Sequence, residues 1–275
     1  MKQCTIGMIG GKGKMGQCLE PIFKRYSHQV LLSDEKTSEE VVKASDVLIF
    51  TVPINQTTLV IESLLPHIRE DQLLLDFTSV KTAPCKSMMK SKASVIGMHP
   101  MFGPSLKNIE SQTVVLCPVR PGEWLDWLSD LLRNEGAQII QTTPEKHDKM
   151  MAIVQCLVHF TSLLFSHTMK QEGINPKELF QFASPVYRMQ LFIAGRIAKQ
   201  SADLYRDIQF ENTSFPETLA HFTKSFKTLK RSVLSHDSQA FENLFDEIGD
   251  FLGEDILKEG QEMTNSFIQL MKKSC

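Results

Sequence analysis

Thr5-Ile6-Gly7-Met8-Ile9-Gly10-Gly11-Lys12-Gly13-Lys14-Met15-Gly16 is the stretch whose reading decides the fold. Thr5 to Ile9 reads as a short buried strand and Lys14 to Arg25 as a helix. Between them Gly11, Gly13 and Gly16 fall in the G-x-G-x-x-G spacing. In that pattern the first glycine allows a tight turn, the second lets the backbone approach a pyrophosphate, and the third lets the helix pack close to the strand. The helix N-terminus adds unpaired N–H groups and a partial positive charge. A second strand, Gln29 to Ser33, ends at Asp34, 18 residues after Gly16. An acid there can accept both hydroxyls of an adenosine ribose. With a strand before, a helix after and an acid at that distance, the stretch reads as a dinucleotide cradle. Lys12, Lys14 and Met15, which fill the gaps between its glycines, belong to it.

The alternation of strand and helix continues outward from this unit. Val47 to Val52 is a fully apolar run stopped by Pro53, and Leu73 to Phe77 is another; both read as strands buried on two faces. Ser94 to Met98, Val114 to Cys117 and Ala137 to Gln141 are further strands. Gln56 to Pro66, Thr82 to Lys90 and Pro121 to Asn134 are the helices between them. The pattern predicts an α/β fold with a Rossmann-type doubly wound sheet. Ligands in such sheets sit at the carboxyl ends of the strands. Asp34, Val52-Pro53-Ile54-Asn55, Ser79-Val80-Lys81 and His99-Pro100 all lie on that edge. After Thr142-Thr143-Pro144 the strand signals stop. Thr143 suits a helix cap and Pro144 a first helical turn. Helices are predicted at 144–170, 177–197, 199–209, 215–235 and 237–272. The expected domains are therefore 1–143, dinucleotide-binding, and 144–275, all-helical.

Composition narrows the partners. Apolar residues make up 42% and charged residues 23% of the 275, the balance of an ordinary globular protein. A net charge of −2 gives no reason to expect nucleic acid or an anionic membrane. The six cysteines form no C-x-x-C pair and no regular spacing, so they read as reduced thiols of a cytoplasmic protein, with no metal site. No apolar run approaches the roughly 20 residues of a membrane helix, and no signal peptide is expected.

Several residues can carry chemistry. His99 follows a strand at the ligand edge, and Pro100 holds it out of the helical region. An imidazole there can take the proton of a hydroxyl whose carbon gives up hydride; it can equally cap the strand end. Ser79 can hydrogen-bond the same oxygen and Lys81 can hold a carboxylate, or the pair can be a helix cap and a solvated lysine. Arg188 and Arg196 are eight residues apart. On one helix they share a broad face, about 12 Å apart along the axis, a spacing fit for two carboxylates of one small dianion. A solvated face is the alternative. His147 and His159 lie on the first helix of the second half, as core, capping or site residues. Glu145 and Asp148 suit that helix's dipole and need no catalytic meaning.

Taken together the segments resemble the prephenate dehydrogenases, above all the dehydrogenase half of the bifunctional chorismate mutase–prephenate dehydrogenases of enteric-type bacteria, without the mutase helices. The motifs are Gly10 through Gly16, Val52-Pro53-Ile54-Asn55, Thr78-Ser79-Val80-Lys81, His99-Pro100-Met101-Phe102-Gly103, His147-Asp148, Gln155 with His159-Phe160, Ser184 through Arg188, and Gly195-Arg196. The resemblance implies NAD-dependent oxidative decarboxylation of prephenate to 4-hydroxyphenylpyruvate, on the route to tyrosine, by a homodimer joined through the helical domains. It makes His99 the catalytic histidine, assisted by Ser79, and Arg196 the ligand of the ring carboxylate. Arg188, Lys81, His147 and His159 then line or support the site. Asp34 favours NAD over NADP. Val158 departs from the enteric pattern, which has an arginine there. The same motifs suit enzymes acting on arogenate or 4-amino-4-deoxyprephenate, and a catalytically silent NAD(H) sensor is the reading from another class.

Overall fold

The computed structural model describes residues 3–26, 29–34 and 36–272. The first half is one seven-stranded sheet in the order β2-β1-β3-β4-β5-β6-β7. β1 (Thr5–Ile9), β2 (Gln29–Ser33), β3 (Val47–Phe50), β4 (Leu73–Asp76) and β5 (Ser94–Pro100) pair in parallel. β6 (Thr113–Arg120) runs antiparallel to β5, and β7 (Gln138–Gln141) parallel to β6. The link from β5 to β6 contains no helix. A parallel pairing needs a crossover, so the sheet reverses there. Five helices connect the other strands: α1 (Lys14–Arg25), α2 (Ser38–Ala44), α3 (Ile54–Leu64), α4 (Thr82–Met88) and α5 (Trp124–Asn134).

The strand sequences explain the two layers. Every residue of β3 and β4 is buried, as expected where helices cover both faces of a parallel sheet. Alternate side chains go to opposite faces. Val47 and Ile49 join Leu19 and Phe23 of α1 and Leu128 and Leu131 of α5. Leu48 and Phe50 join Val42 of α2, Ile61 of α3 and Met88 of α4. The predicted doubly wound sheet is thus the observed one; α2 was not anticipated.

The second half is helical: α6 (Pro144–Met151), α7 (Val158–Gln171), α8 (Pro176–Gln181), α9 (Pro185–Ala198), α10 (Ala202–Phe210), α11 (Phe215–Leu234) and α12 (Ser238–Lys272). Where one helix was expected over 177–197 there are two. Ser184 ends the break by accepting the N–H of Tyr187 at 3.2 Å, and Pro185 opens α9 without an N–H to satisfy. α12 is kinked at Gly253, whose φ is +74°. Thr143 caps α6 as predicted, accepting from Lys146 N at 3.2 Å.

Packing divides the chain differently from a cut at 143/144. One compact unit runs up to Cys156 and includes Asp203–Phe215; the other comprises Leu157–Ala202 and Pro216–Cys275. The cause is polar as well as apolar. Asn212 donates to the backbone oxygen of Asp148 at 2.9 Å, and the Cys156 thiol donates to Ile208 O at 3.3 Å. These bonds tie α6 and α10 into the sheet unit. Between α6 and α7 lies a π-helical turn, Ala152–Leu157. The continuous stretch Pro144–Gln171 is long and apolar enough, by length and composition, to cross a membrane, contrary to the expectation that no run came near that length. Its first turns instead carry the buried His147 and Asp148.

Candidate active site

The glycine cradle forms, with one reassignment. The left-handed residue of the turn is Gly10, with φ +77°, and a side chain there would strike Val52 Cγ1. Gly11 is needed for space, since a Cβ would come within 2.6 Å of Met8 Cβ. Gly16 lets α1 start directly against the loop: a Cβ would lie 2.2 Å from Gly11 O. Gly13 has only Gly10 O nearby, at 3.2 Å, so its outer side is open to a close-approaching group. Lys14 opens α1 in the open and Met15 leans on the core beneath it. Val52 packs under the turn, and Pro53 precedes the first turn of α3. Asp34 stands at the end of β2 as expected. Its Oδ2 accepts from Lys12 Nζ at 2.6 Å and its Oδ1 from Lys36 N at 3.1 Å. Those bonds, Lys12 first, hold its carboxyl below the usual carboxylate range. The residues present therefore fit a dinucleotide: an open glycine, a helix N-terminus and an acid one strand away.

Three strands along from β1 on the same edge, His99 lies at the carboxyl end of β5 with only 3% of its surface exposed. It does not stand alone. His99 Nδ1 and His147 Nε2 are 2.9 Å apart, and His147 Nδ1 is 2.8 Å from Asp148 Oδ1. Asp148 is held in turn by the backbone N–H groups of Lys81 and Thr82, at 2.7 and 2.9 Å. The direction of this chain follows from its fixed end. Burial pulls the Asp148 pKa up, but the bonds from His147, Thr82 and Lys81 outweigh it and the net shift is downward. Asp148 is therefore an acceptor, and His147 Nδ1 carries a hydrogen. Burial and then Lys81 keep His147 below the ordinary imidazole value, against the pull of Asp148. His147 is neutral, so its Nε2 is a lone pair and accepts from His99 Nδ1. Burial, then His147 and Lys81, push His99 well below the ordinary value too. Its Nε2 is thus an unprotonated base at neutral pH.

Lys81 is a correction. It was expected to offer its ammonium to a substrate carboxylate. It is fully buried, and the ammonium is bonded to the Asp76 carboxylate and to Met98 O, the latter at 2.9 Å. Its stem runs past Gly97, where a Cβ would meet Lys81 Cδ at 2.9 Å. Lys81 thereby clasps β4 to β5 one residue before His99 and holds nothing outside. Asp148 is the second correction. Its place near a helix start suggested only a dipole contact, yet it anchors the histidine chain. Asp76 was passed over altogether, although a carboxylate inside Leu73-Leu74-Leu75-Asp76-Phe77, five residues before a lysine, signals a buried pair. Ser79 sits half-buried in the β4–α4 connection. Asp76 pairs with Gly97 in the ladder, so Ser79 and His99 leave adjacent strands on the same edge.

The remaining candidates belong to the second unit. α7 and α9 pack together there. α7 carries His159, and α9 carries both Arg188 and Arg196, as expected for one helix. His159 is half-buried; burial, then the charge of Arg196, holds its pKa down. Arg196 is exposed. Arg188 stacks its guanidinium over the Phe180 ring, 4.6 Å from the centroid, which commits part of its charge to the protein.

Sheet and cradle define an α/β protein of the nucleotide-binding type, with a chain of buried titratable side chains at the same strand edge. The family description "Prephenate dehydrogenase, nucleotide-binding domain" matches residues 23–141, and "Prephenate dehydrogenase, dimerization domain" matches 143–247. The chain is 33% identical over 268 residues to the T-protein of Haemophilus influenzae, covering 94% of this chain and 70% of that one. It therefore belongs to the prephenate dehydrogenase family, and its first half is the nucleotide-binding domain. It is also 34% identical to a "Probable arogenate/prephenate dehydrogenase" of Methanocaldococcus jannaschii over 90% of this chain, but spans only 61% of that relative's length. A solved prephenate dehydrogenase from A. aeolicus, in complex with hydroxyphenyl propionate and NAD+, shares the fold. Its TM-score is 0.70 at 19% identity, covering 90% of this chain and 96% of that one.

Proposed function

We propose that the chain catalyses the NAD-dependent oxidative decarboxylation of prephenate to 4-hydroxyphenylpyruvate, in aromatic amino acid synthesis. The observation that carries this reading is the chain Asp148–His147–His99, which leaves an unprotonated imidazole nitrogen on the same edge as the glycine cradle. Gly11 to Gly16 and Asp34 would hold the dinucleotide, which supplies the hydride acceptor. His99 Nε2 accepts the proton of the substrate's ring hydroxyl as hydride departs from the same carbon. The ring carboxylate then leaves as CO₂ and its bonding pair closes the aromatic ring. Charges balance without a net proton: a dianion and a cationic acceptor become a monoanion, CO₂ and a neutral reduced cofactor. His99 must therefore give its proton back to the ring oxygen. His147 and Asp148 keep the right nitrogen bare and spread the imidazolium charge while it lasts. Ser79 assists at the hydroxyl. Arg196 and Arg188 supply the positive charge that a dianion needs, with His159 as a neutral neighbour of Arg196; Arg196→Gln raises KM before it lowers kcat.

We also infer a homodimer. α11 and α12 expose Phe226, Leu229, Val233, Phe245, Phe251 and Ile256, more apolar surface than a solitary helical unit leaves bare, and the family description for 143–247 is a dimerization domain. The test of function is reduced-cofactor formation by the purified protein with prephenate and NAD⁺, beside NADP⁺, arogenate and 4-amino-4-deoxyprephenate. Turnover with prephenate and NAD⁺ that drops at least ~10²-fold in His99→Asn supports the assignment. Turnover with an analogue alone moves the substrate and keeps the chemistry. Binding of NAD⁺ with no turnover of any compound overturns it in favour of a sensor.

A further inference from the structure

Gln155 has no part in the proton chain, yet it points at its working end. It lies in the π-helical turn Ala152–Leu157. Such turns distort the helix ladder and recur where a side chain has to be aimed. The next residue, Cys156, is pinned by its thiol to Ile208 O at 3.3 Å, so the turn is held. Gln155 Nε2 is 3.4 Å from His99 Nε2, the bare nitrogen. The other end of the amide, Oε1, is buried and without a hydrogen-bond partner among the described residues. A buried acceptor left unsatisfied is destabilising, and native structures keep few of them without a reason.

We propose that Gln155 contacts the substrate and reads the substituent on the carbon being oxidised; this rests on the dehydrogenase reading above. With the two nitrogens 3.4 Å apart, one substrate atom can lie within hydrogen-bond reach of both His99 Nε2 and the Gln155 amide. A hydroxyl there donates its one proton to His99 and has lone pairs left to accept the Gln155 N–H. In the reaction hydride leaves that carbon with two electrons. The O–H pair becomes the second C–O bond as the proton goes to His99. The pair released by the departing CO₂ then reaches the oxygen as the ring closes, and the oxygen recovers its proton from His99. A Gln155 N–H donated to that oxygen would meet the negative charge as it gathers there. A protonated amine on the same carbon has no lone pair for that N–H. The amide must turn and offer Oε1 instead. Glutamine can present either end, glutamate only an acceptor, and leucine neither.

The experiment is steady-state kinetics of the full-length protein with prephenate and with its 4-amino analogue, for wild type, Gln155→Leu and Gln155→Glu. NAD⁺ affinity and circular dichroism are followed in parallel. Gln155→Leu is expected to lose about 10²-fold in kcat with prephenate, the scale of one lost charge-facing donor, with NAD⁺ affinity unchanged. Gln155→Glu is expected to lose as much with prephenate but to shift the ratio of kcat/KM toward the amine by at least ~10-fold. Equal losses on both substrates in both variants, or a Gln155→Leu enzyme within two-fold of wild type, overturn the inference alone. A wild type that turns over neither compound overturns the dehydrogenase reading and the inference with it.

Discussion

Replacing Asp148 by asparagine tests the proton chain at its fixed end. The carboxylate accepts three hydrogen bonds at once: Oδ1 from Lys81 N and His147 Nδ1, Oδ2 from Thr82 N. An amide of the same shape cannot do this. With its oxygen toward Lys81 and His147, its NH₂ faces the Thr82 N–H, leaving a buried donor unmet at a cost of about 1–3 kcal/mol. With its NH₂ toward His147 and Lys81, the Lys81 N–H is the donor left unmet, and the imidazole must accept at Nδ1 and donate from Nε2. His99 then accepts at Nδ1 and carries its hydrogen on Nε2, where the base should be. Either orientation therefore costs stability, and only the second also costs activity. An asparagine that reverses the tautomer of a triad histidine costs a serine protease about 10⁴ in kcat. Here the loss is expected between about 10² and 10⁴, because the second orientation competes with the first. KM for prephenate and the affinity for NAD⁺ should change little, since neither contact involves Asp148. The assay is steady-state kinetics beside NAD⁺ titration and urea unfolding on the same preparation. A folded, NAD⁺-binding Asp148→Asn protein with kcat within a few-fold of wild type would refute the tautomer argument.

Other outcomes follow from the same geometry. Lys81→Met leaves Asp76 buried without its counter-ion and should cost about 3–5 kcal/mol in urea unfolding, whereas adding Asp76→Leu should recover much of it; a single-variant loss under about 1 kcal/mol would mean the pair is not shut away from water. His99, His147 and His159 all have pKa values lowered in the fold. As pH falls through the unfolded value near 6.5, the unfolded chain takes up protons first. Their contribution is therefore complete above that value and is lost below it, by about 1.4 kcal/mol per pH unit for each histidine. A urea midpoint unchanged between about pH 7.5 and pH 5.5 would contradict neutral rings at the buried His99 and His147. Lys12→Met removes the charge that partly neutralises Asp34. Discrimination for 5′-AMP over 2′,5′-ADP, read by competition with NAD⁺, should widen only a few-fold, since the pair is exposed; no change would show that Lys12 takes no part in that choice.

The sheet half was legible because its signals are strong and redundant. Val47 to Phe50 and Leu73 to Leu75 are apolar on both faces, as an interior parallel strand requires. The glycine spacing places a turn that nothing bulkier can make. α2 escaped because Ser38-Glu39-Glu40-Val41-Val42-Lys43-Ala44 shows two buried residues in two turns, too few for a period. The reassignment from Gly11 to Gly10 reflects the same limit: spacing identifies a glycine turn, while which residue turns left-handed depends on Val52 across the loop. At the site, His99 and His147 could be named one at a time. Their partnership with Asp148 could not, because residues 99 and 147 meet only when α6 packs on the sheet. Lys81 shows the error that follows. A lysine at a ligand edge looks like an anion clamp until its neighbour Asp76, hidden in an apolar strand, claims the ammonium.

The proposed reaction gives a reason for burying the base so deeply. A general base that passes its proton to solvent gains from exposure and a pKa near the working pH. Here the proton taken from the hydroxyl must return to the same oxygen within one turnover. A wet site would let it escape and leave the phenolate to be protonated by chance. His99 is nearly sealed, and its other nitrogen leads only to His147 and Asp148, themselves buried. The proton can spread along that chain but has nowhere to leave it, so it stays available for the second half of the reaction. The lowered pKa of His99 serves the same end: it makes the imidazolium a strong acid, quick to give back what it took. The arrangement predicts that kcat with prephenate is insensitive to buffer concentration at fixed pH, since no proton is exchanged with solvent during turnover. A kcat that rises with buffer concentration would mean that a path to solvent opens at His99.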